Sequence, residues 1–192
     1  ELTDFTIQKL LMIQLFKQGS EDYSNLENFS NIFAYILAKQ PKYCSNKTIV
    51  SVIEQGILSK KVSSDIINGY NKIIRERTYL NLDKVIDTLA DLLQEGNETE
   101  KLNLAILGCI SGAAEVAKIS EKCLSVLESN IDSFDENIRS LSFRGLRAAQ
   151  DKGYKSEIFK IWCSNVIGNL ELSVSTEVKP DLELLDTLAS LK

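Results

Sequence analysis

The chain has no histidine among its 192 residues. This absence removes the side chain best suited to proton transfer near neutral pH and the commonest imidazole ligand of metal ions. Catalysis by Ser-His-Asp or Cys-His groups and zinc sites built on histidine are therefore excluded within the chain. It has only two prolines, Pro41 and Pro180, so long helical runs meet few interruptions. No apolar run approaches the roughly 20 residues of a bilayer-spanning helix, so we expect no membrane insertion.

An excess of positive charge is also missing. The chain has 22 lysines and arginines against 27 aspartates and glutamates, which gives a formal net charge of −5. Nucleic-acid binding normally requires a positive surface that neutralises phosphates, so we expect no nucleic-acid partner.

Closely spaced cysteines are missing as well. Cys44, Cys109, Cys123 and Cys163 include no C-x-x-C pair, the spacing that zinc and redox dithiol sites use. Two disulfides are arithmetically possible, but three of these cysteines fall in apolar helical stripes, where a free cysteine acts as a small apolar residue. The pattern favours reduced cysteines and a cytoplasmic, reducing compartment.

What the sequence does contain is a succession of short amphipathic segments. The segment from Phe29 to Leu37 is the clearest, with apolar residues at positions i, i+3, i+4, i+7 and i+8 before Pro41. The pattern predicts about ten helices and no convincing strand, and hence an all-α fold. The predicted helices begin near Asp4, Phe29, Ser45, Ser63 or Ser64, Asn81, Glu98, Ser120, Asp135, Ser156 and Pro180. A loop is predicted over residues 171–179, before the last helix.

Pairs of these predicted helices repeat at about 34–39 residues, the spacing of helical-repeat solenoids. Tight turns favour antiparallel packing of consecutive helices. We therefore expect residues 1–192 to form a single α-helical solenoid domain; a compact multi-helix bundle would have much the same pattern. The chain begins at Glu1 and has no charged-then-apolar leader, which predicts a fragment of a longer protein.

One stretch carries a more specific pattern. Residues Ile131-Asp132-Ser133-Phe134-Asp135-Glu136-Asn137-Ile138-Arg139, followed by Leu141, Ser142, Gly145 and Leu146, resemble the HEAT repeat, clearest over residues 131–149. HEAT units similarly have an acidic turn, an Ile/Val-Arg pair and then small and large apolar residues. The resemblance implies that the acid caps the helix, that small residues let helices approach, and that the arginine ties the turn. The resemblance does not distinguish HEAT repeats from armadillo repeats.

The patterns of ligand-binding and catalytic sites are weak. Gly108 to Gly112 lies in an apolar helical segment and lacks a P-loop lysine, which predicts close helix packing. Acids near Glu98 and Asp135 lack calcium-loop spacing and suit helix N-termini. Ser120 with Lys118 or Lys122 is the only conceivable nucleophile pair, a pairing that chance often produces. We therefore predict no catalytic residue, no metal and no cofactor, and thus no enzyme.

Arg139, Phe143 and Arg147 follow one another at i, i+4 and i+8, and they are the candidate partner-binding residues. Aromatic residues and arginines are enriched in interface hot spots. The alternative is that Phe143 packs on the next helix pair while the arginines pair with acidic neighbours. The basic residues Lys72, Arg75 and Arg77 form a second candidate, with a solvated helix face as its alternative.

These patterns favour a protein–protein interaction module that presents a pre-organised helical surface to a partner protein or peptide. Alternatives are a regulatory or substrate-recruiting domain of a larger enzyme or bacterial effector, in which case the compartment is a host cytosol. A GTPase-regulating helical domain and a purely structural spacer also fit.

Overall fold

In a computed structural model, the structure describes residues 26–96 and 99–175, together with Thr6 and Lys9. All secondary structure in these residues is helical, which confirms the all-α prediction for them. The helices are α1 Leu26–Lys39, α2 Lys47–Leu58, α3 Ser64–Arg75, α4 Leu82–Glu95, α5 Glu100–Val116, α6 Glu121–Ser129, α7 Glu136–Asp151 and α8 Glu157–Ser175, with a 3-10 segment Pro41–Ser45 between α1 and α2. The predicted helices that begin at Asp4 and Pro180 lie outside the described residues.

The helices begin close to the predicted capping residues. Ser63 and Ser120 accept hydrogen bonds from backbone N–H groups in the first turns of α3 and α6, and Asp135 does the same for α7. These side chains satisfy amide groups that have no partner within their own helix. Asn81 occupies the predicted N-cap position of α4, but its side chain makes no capping hydrogen bond.

The predicted loop over residues 171–179 is wrong where the structure describes it. Helix α8 continues to Ser175. Residues 171–175 contain no glycine or proline, and Val174 continues the i, i+4 apolar spacing from Val166 and Leu170. Serine and β-branched residues lower helix propensity only slightly, so they do not end a helix by themselves. Residues 176–179 lie outside the described part.

The chain divides into two compact units, residues 1–154 and 155–192. In the first unit, contacts link each helix to the next one but one. Helices α1, α3, α5 and α7 follow one another in one row, and α2, α4 and α6 follow one another in a second row. Consecutive helices connect the two rows. The large side chains that this packing buries fully include Phe33, Leu37, Ile53, Ile67, Ile73, Ile86, Ile106 and Ile110.

Glycines let the first row pack closely. A Cβ atom at Gly69 of α3 would lie 3.1 Å from the Cβ of Ala34 on α1. One at Gly112 of α5 would lie 2.8 Å from the side-chain oxygen of Asn71 on α3. The segment from Gly108 to Gly112 is therefore a helix-packing segment inside α5, as its sequence predicts.

Hydrogen bonds between next-but-one helices, or between their flanking turns, join residues that are 32 to 38 positions apart. In two places, a lysine side chain makes the same kind of contact with the end of an earlier helix. The Nζ of Lys72 on α3 donates to the carbonyl oxygens of Leu37 and Ala38, and the Nζ of Lys152 donates to those of Ala114 and Glu115. Each lysine places its charge at the negative C-terminal end of the helix two before it. Lys72 of the basic candidate therefore has a structural role.

Candidate partner-binding site

The turn between α6 and α7, residues Asn130–Asp135, is held by its own polar groups. The backbone N–H of Ser133 donates to the carbonyl oxygen of Asn130 at 3.2 Å, and the Ser133 hydroxyl accepts from the N–H of Asp135, also at 3.2 Å. The guanidinium of Arg139 donates to the carbonyl oxygen of Ser133 at 2.7 Å. At the start of the turn, Ile131 is only 1% exposed and anchors it in the core. The turn is therefore braced at both ends.

This braced turn exposes Phe134 completely. The side chain has a relative exposure of 105%, the largest among the large apolar residues that the structure describes as exposed. Burying a phenylalanine normally contributes about 1.5–3 kcal/mol, and the folded chain obtains none of this from Phe134. The braced turn fixes the backbone that carries the ring, so a partner that covers the ring has only the Phe134 side chain to order. The geometry suits an aromatic anchor.

The surroundings of the ring are acidic. Residues 128–136 contain Glu128, Asp132, Asp135 and Glu136 and no lysine or arginine. Asp132 and Glu136 are exposed, whereas Asp135 is half-buried and caps α7. Glu128 accepts a hydrogen bond from the Tyr154 hydroxyl at 3.2 Å. Partial burial, together with this carboxylate, raises the pKa of Tyr154.

The structure places the sequence-predicted residues Arg139, Phe143 and Arg147 along α7, but it does not bring them together as an exposed stripe. Phe143 is 9% exposed and belongs to the core, so its ring has little surface to offer a partner. Arg139 is half-buried and braces the turn below Phe134, and Arg147 is half-buried. Partner binding by this stripe stays a prediction.

Sequence reasoning missed Phe134 as a site residue, although the HEAT-like stretch includes it. The feature of the sequence that could have identified Phe134 is its position. Ile131 and Ile138 belong to the apolar patterns of the flanking helices, whereas Phe134 falls in the acidic turn between them, where the fold requires no apolar side chain. An aromatic residue directly before an N-cap is a signal that periodicity alone does not register.

The second residue that sequence reasoning missed is Glu54, which is 1% exposed on the apolar face of α2. Its carboxylate accepts from the Tyr70 hydroxyl at 3.3 Å, from the backbone N–H groups of Leu80 and Asn81 at 2.8 and 3.1 Å, and from the Asn81 side chain at 2.9 Å. Burial, and then the nearby carboxylate, raise the pKa of Tyr70. All these donors belong to the fold, so Glu54 holds the α3–α4 turn in place.

The serine and cysteine side chains that could act as nucleophiles also have structural roles. The Ser120 hydroxyl donates to Asp87 at 2.5 Å and caps α6. Cys123 is fully buried, and burial raises its pKa to about 12. Burial also raises the pKa of Cys109. A thiol with a raised pKa is a poor nucleophile at neutral pH, because the thiolate is the reactive form. All four cysteines are free, as the sequence predicts.

The remaining features of the described residues are less specific. An open groove of about 400 Å³ lies between residues 79–84 and Ala117, and its lining includes the exposed, oppositely charged Asp83 and Lys84. Within residues 26–96 and 99–175, no group of three or more cysteines and acids is placed to hold a metal ion. None of the described helices is long and apolar enough to cross a bilayer.

No protein-family model, no curated protein and no solved structure matches the chain. Function is therefore inferred from the geometry of the residues themselves.

Proposed function

We propose that this chain is a protein-interaction module, a helical-repeat stack that presents Phe134 as the anchor for a partner protein. The observation that carries the proposal is the combination of full exposure and bracing at one turn. A large aromatic ring contributes nothing to the core when it is fully exposed. The turn around it is nevertheless held by hydrogen bonds of the Ser133, Asp135 and Arg139 side chains. Such a ring is the kind of residue that dominates binding energy at interfaces.

Two observations support a HEAT/armadillo-like architecture as the scaffold. Contacts within each row join next-but-one helices, as expected when each helix pair packs only on its neighbours. Polar contacts between them recur at separations of 32 to 38 residues, close to the period of helical repeats. The HEAT resemblance implies an arginine that ties the turn, and Arg139 bonds to the turn before its own helix.

Pre-organisation is the mechanism that this arrangement favours. Binding normally costs about 0.5–1.5 kcal/mol for each side chain or loop element that becomes ordered. The hydrogen bond that the Arg139 guanidinium donates and the one that the Asp135 carboxylate accepts order the turn before any partner arrives. Covering the ring then adds apolar burial, and only the Phe134 side chain remains to be ordered. Truncation of an anchor of this kind typically weakens binding by about 2 kcal/mol or more, which is about 30-fold.

The proposal is tested by affinity capture from an extract of the cells that make the chain, with quantitative mass spectrometry. Parent protein, Phe134→Ala and Leu80→Ala are immobilised in parallel. Leu80 is the matched control, because it is an exposed apolar residue in the α3–α4 turn, three helices away. We expect a partner that parent and Leu80→Ala retain and that Phe134→Ala loses. Circular dichroism and melting curves verify that all three are folded.

A third variant, Arg147→Glu, separates this proposal from the stripe that the sequence predicts. It leaves the buried Phe143 in place and changes only the half-buried charge. Loss of the partner with Arg147→Glu but not with Phe134→Ala would move the site to the face of α7. Equal capture by parent and Phe134→Ala, with either outcome for Arg147→Glu, would show that Phe134 is not the anchor.

A further inference from the structure

We infer that the partner of Phe134 is a protein with an apolar pocket rimmed by lysine or arginine side chains. This inference rests on the proposed function and names the chemistry of the surface that covers the ring. The first argument is charge. The carboxylates of Asp132 and Glu136 flank Phe134 on either side, are exposed, and have no hydrogen-bond or ion-pair partner among the residues that the structure describes.

One positive charge lies close to these acids. The guanidinium of Arg139 donates to the neutral carbonyl oxygen of Ser133 and keeps its charge, whereas Arg144, further along α7, pairs with Glu115 of α5 at 2.7 Å. The N-terminus of α7 has a partial positive charge equivalent to about half a unit, which the capping carboxylate of Asp135 already offsets. With Arg139 counted, residues 128–139 contain four acidic side chains and one arginine, a net charge of −3, which is complementary to a positive rim.

The second argument is shape. Phe134 is the only large apolar side chain described as exposed on α6, α7 or the turn between them. A single protruding ring buries its area well only when the partner surrounds it, so the complementary surface is a pocket rather than a flat face. Complementary charges at the rim of such a pocket speed association and exclude wrong partners more than they add affinity.

The same two observations disfavour other surfaces. A peripheral membrane contact requires several apolar side chains together with basic residues that attract anionic lipids, and this turn has one ring and acidic flanks. Carboxylates beside the ring also repel the phosphates of nucleic acids. A folded protein whose apolar pocket is rimmed by basic residues fits both the exposed ring and the acidic side chains beside it.

The experiment begins with the photoreactive residue p-benzoylphenylalanine in place of Phe134 in the full chain, irradiated in the cells that make it. The same residue in place of Leu80 is the background control. Mass spectrometry of the crosslinked peptides identifies the partner and the segment that touches position 134. We expect a segment of a folded protein that contains or adjoins several lysines or arginines, and that is absent from the control.

The purified partner is then titrated against charge variants. Asp132→Lys/Glu136→Lys should weaken binding by about tenfold or more at low salt, and raising salt from about 50 to about 500 mM should weaken binding of the parent while reducing the difference between the two. The matched control is Asp65→Lys/Asp83→Lys, because both acids are exposed in the first turns of α3 and α4. It should bind as the parent does.

The outcomes distinguish the two proposals. If Phe134→Ala abolishes binding but charge reversal and salt do not weaken it, the basic rim is wrong and the anchor stands. If the partner also binds Phe134→Ala as tightly as it binds the parent, the proposed function is wrong as well. A crosslink to lipid or nucleic acid, or no crosslink above the Leu80 control, overturns both.

Discussion

Two turns of the first unit are both held by side-chain hydrogen bonds, but they differ in which kind of residue they bury and which they expose. The α3–α4 turn is held from inside by Glu54, a carboxylate that α2 buries almost completely. The α6–α7 turn is held by its own serine, aspartate and arginine, and it exposes a phenylalanine completely. One turn places a charged residue in the core, and the other places an aromatic residue in solvent.

The difference shows how to separate a stabilising residue from a binding residue. Burying a carboxylate is unfavourable unless hydrogen bonds replace its hydration, and Glu54 has four donors, so the fold explains it fully. Exposing a phenylalanine is also unfavourable relative to burying it, but no contact within the described residues compensates for Phe134. The explanation for Glu54 is internal, whereas the described residues contain no contact that accounts for Phe134, for which we propose a partner.

The largest effect should come from Glu54→Ala. The substitution leaves the Tyr70 hydroxyl and the backbone N–H groups of Leu80 and Asn81 without their acceptor, so we expect the free energy of unfolding to fall by about 2–4 kcal/mol in urea titrations. Glu54→Gln keeps one acceptor oxygen and should lose less.

The control for Glu54→Ala is Glu95→Gln. Glu95 pairs with Lys60, and both side chains are about half exposed, so its loss should leave the unfolding midpoint unchanged. Midpoints for Glu54→Ala and Glu95→Gln that agree would show that water replaces the Glu54 contacts and would remove the contrast between the two turns.

What the sequence predicts and what it misses have a common physical origin. The caps at Ser63, Ser120 and Asp135 depend on residues two or three positions apart, so sequence patterns identify them. The contacts of Glu54 with Leu80 and Asn81 join residues 26 and 27 positions apart, and no local pattern encodes them.

Helix periodicity alone did not predict how much of α7 is covered. In the structure Ser142, Phe143, Leu146 and Ala149 of α7 are all buried, whereas Ile138 is only half-buried. The inward face therefore includes Phe143, and Gly145 lets α7 approach α5 and α6 closely. Amphipathic periodicity predicts that a face exists, but neighbouring helices determine how much of the helix they cover.

An intermediate effect should appear at alkaline pH. Burial and the Glu54 carboxylate raise the pKa of Tyr70, so the folded chain keeps this proton at pH values where an unfolded tyrosine, with a pKa of about 10, has lost it. The unfolded state then binds fewer protons, and stability must fall as pH rises above about 10. Tyr70→Phe cannot lose this proton. We expect the parent to be more stable by about 1 kcal/mol near neutral pH, the value of one hydrogen bond.

Above pH 10 that advantage should shrink by up to about 1.4 kcal/mol per pH unit. Urea midpoints of parent and Tyr70→Phe between about pH 8 and about pH 11 measure it. The buried thiols of Cys109 and Cys123, whose pKa values are also raised, titrate in both proteins and cancel in the comparison. A difference that stays constant with pH would mean that the Tyr70 hydroxyl is not held beside Glu54 as described, and the α3–α4 turn would lose its internal explanation.

The smallest effect on stability should come from Phe134→Ala, and it bears most directly on function. Because the ring is fully exposed, its removal deletes no buried contact, and the free energy of unfolding should change by less than about 0.5 kcal/mol. Phe143→Ala is the matched control, since truncating this buried ring nine residues further on should cost about 3 kcal/mol or more. If Phe134→Ala also lost more than about 1 kcal/mol, the ring would be packed in solution and would be a core residue rather than an anchor. If its stability is unchanged, the described fold provides no reason for a phenylalanine at this position, which is what the proposed role of Phe134 as an anchor requires.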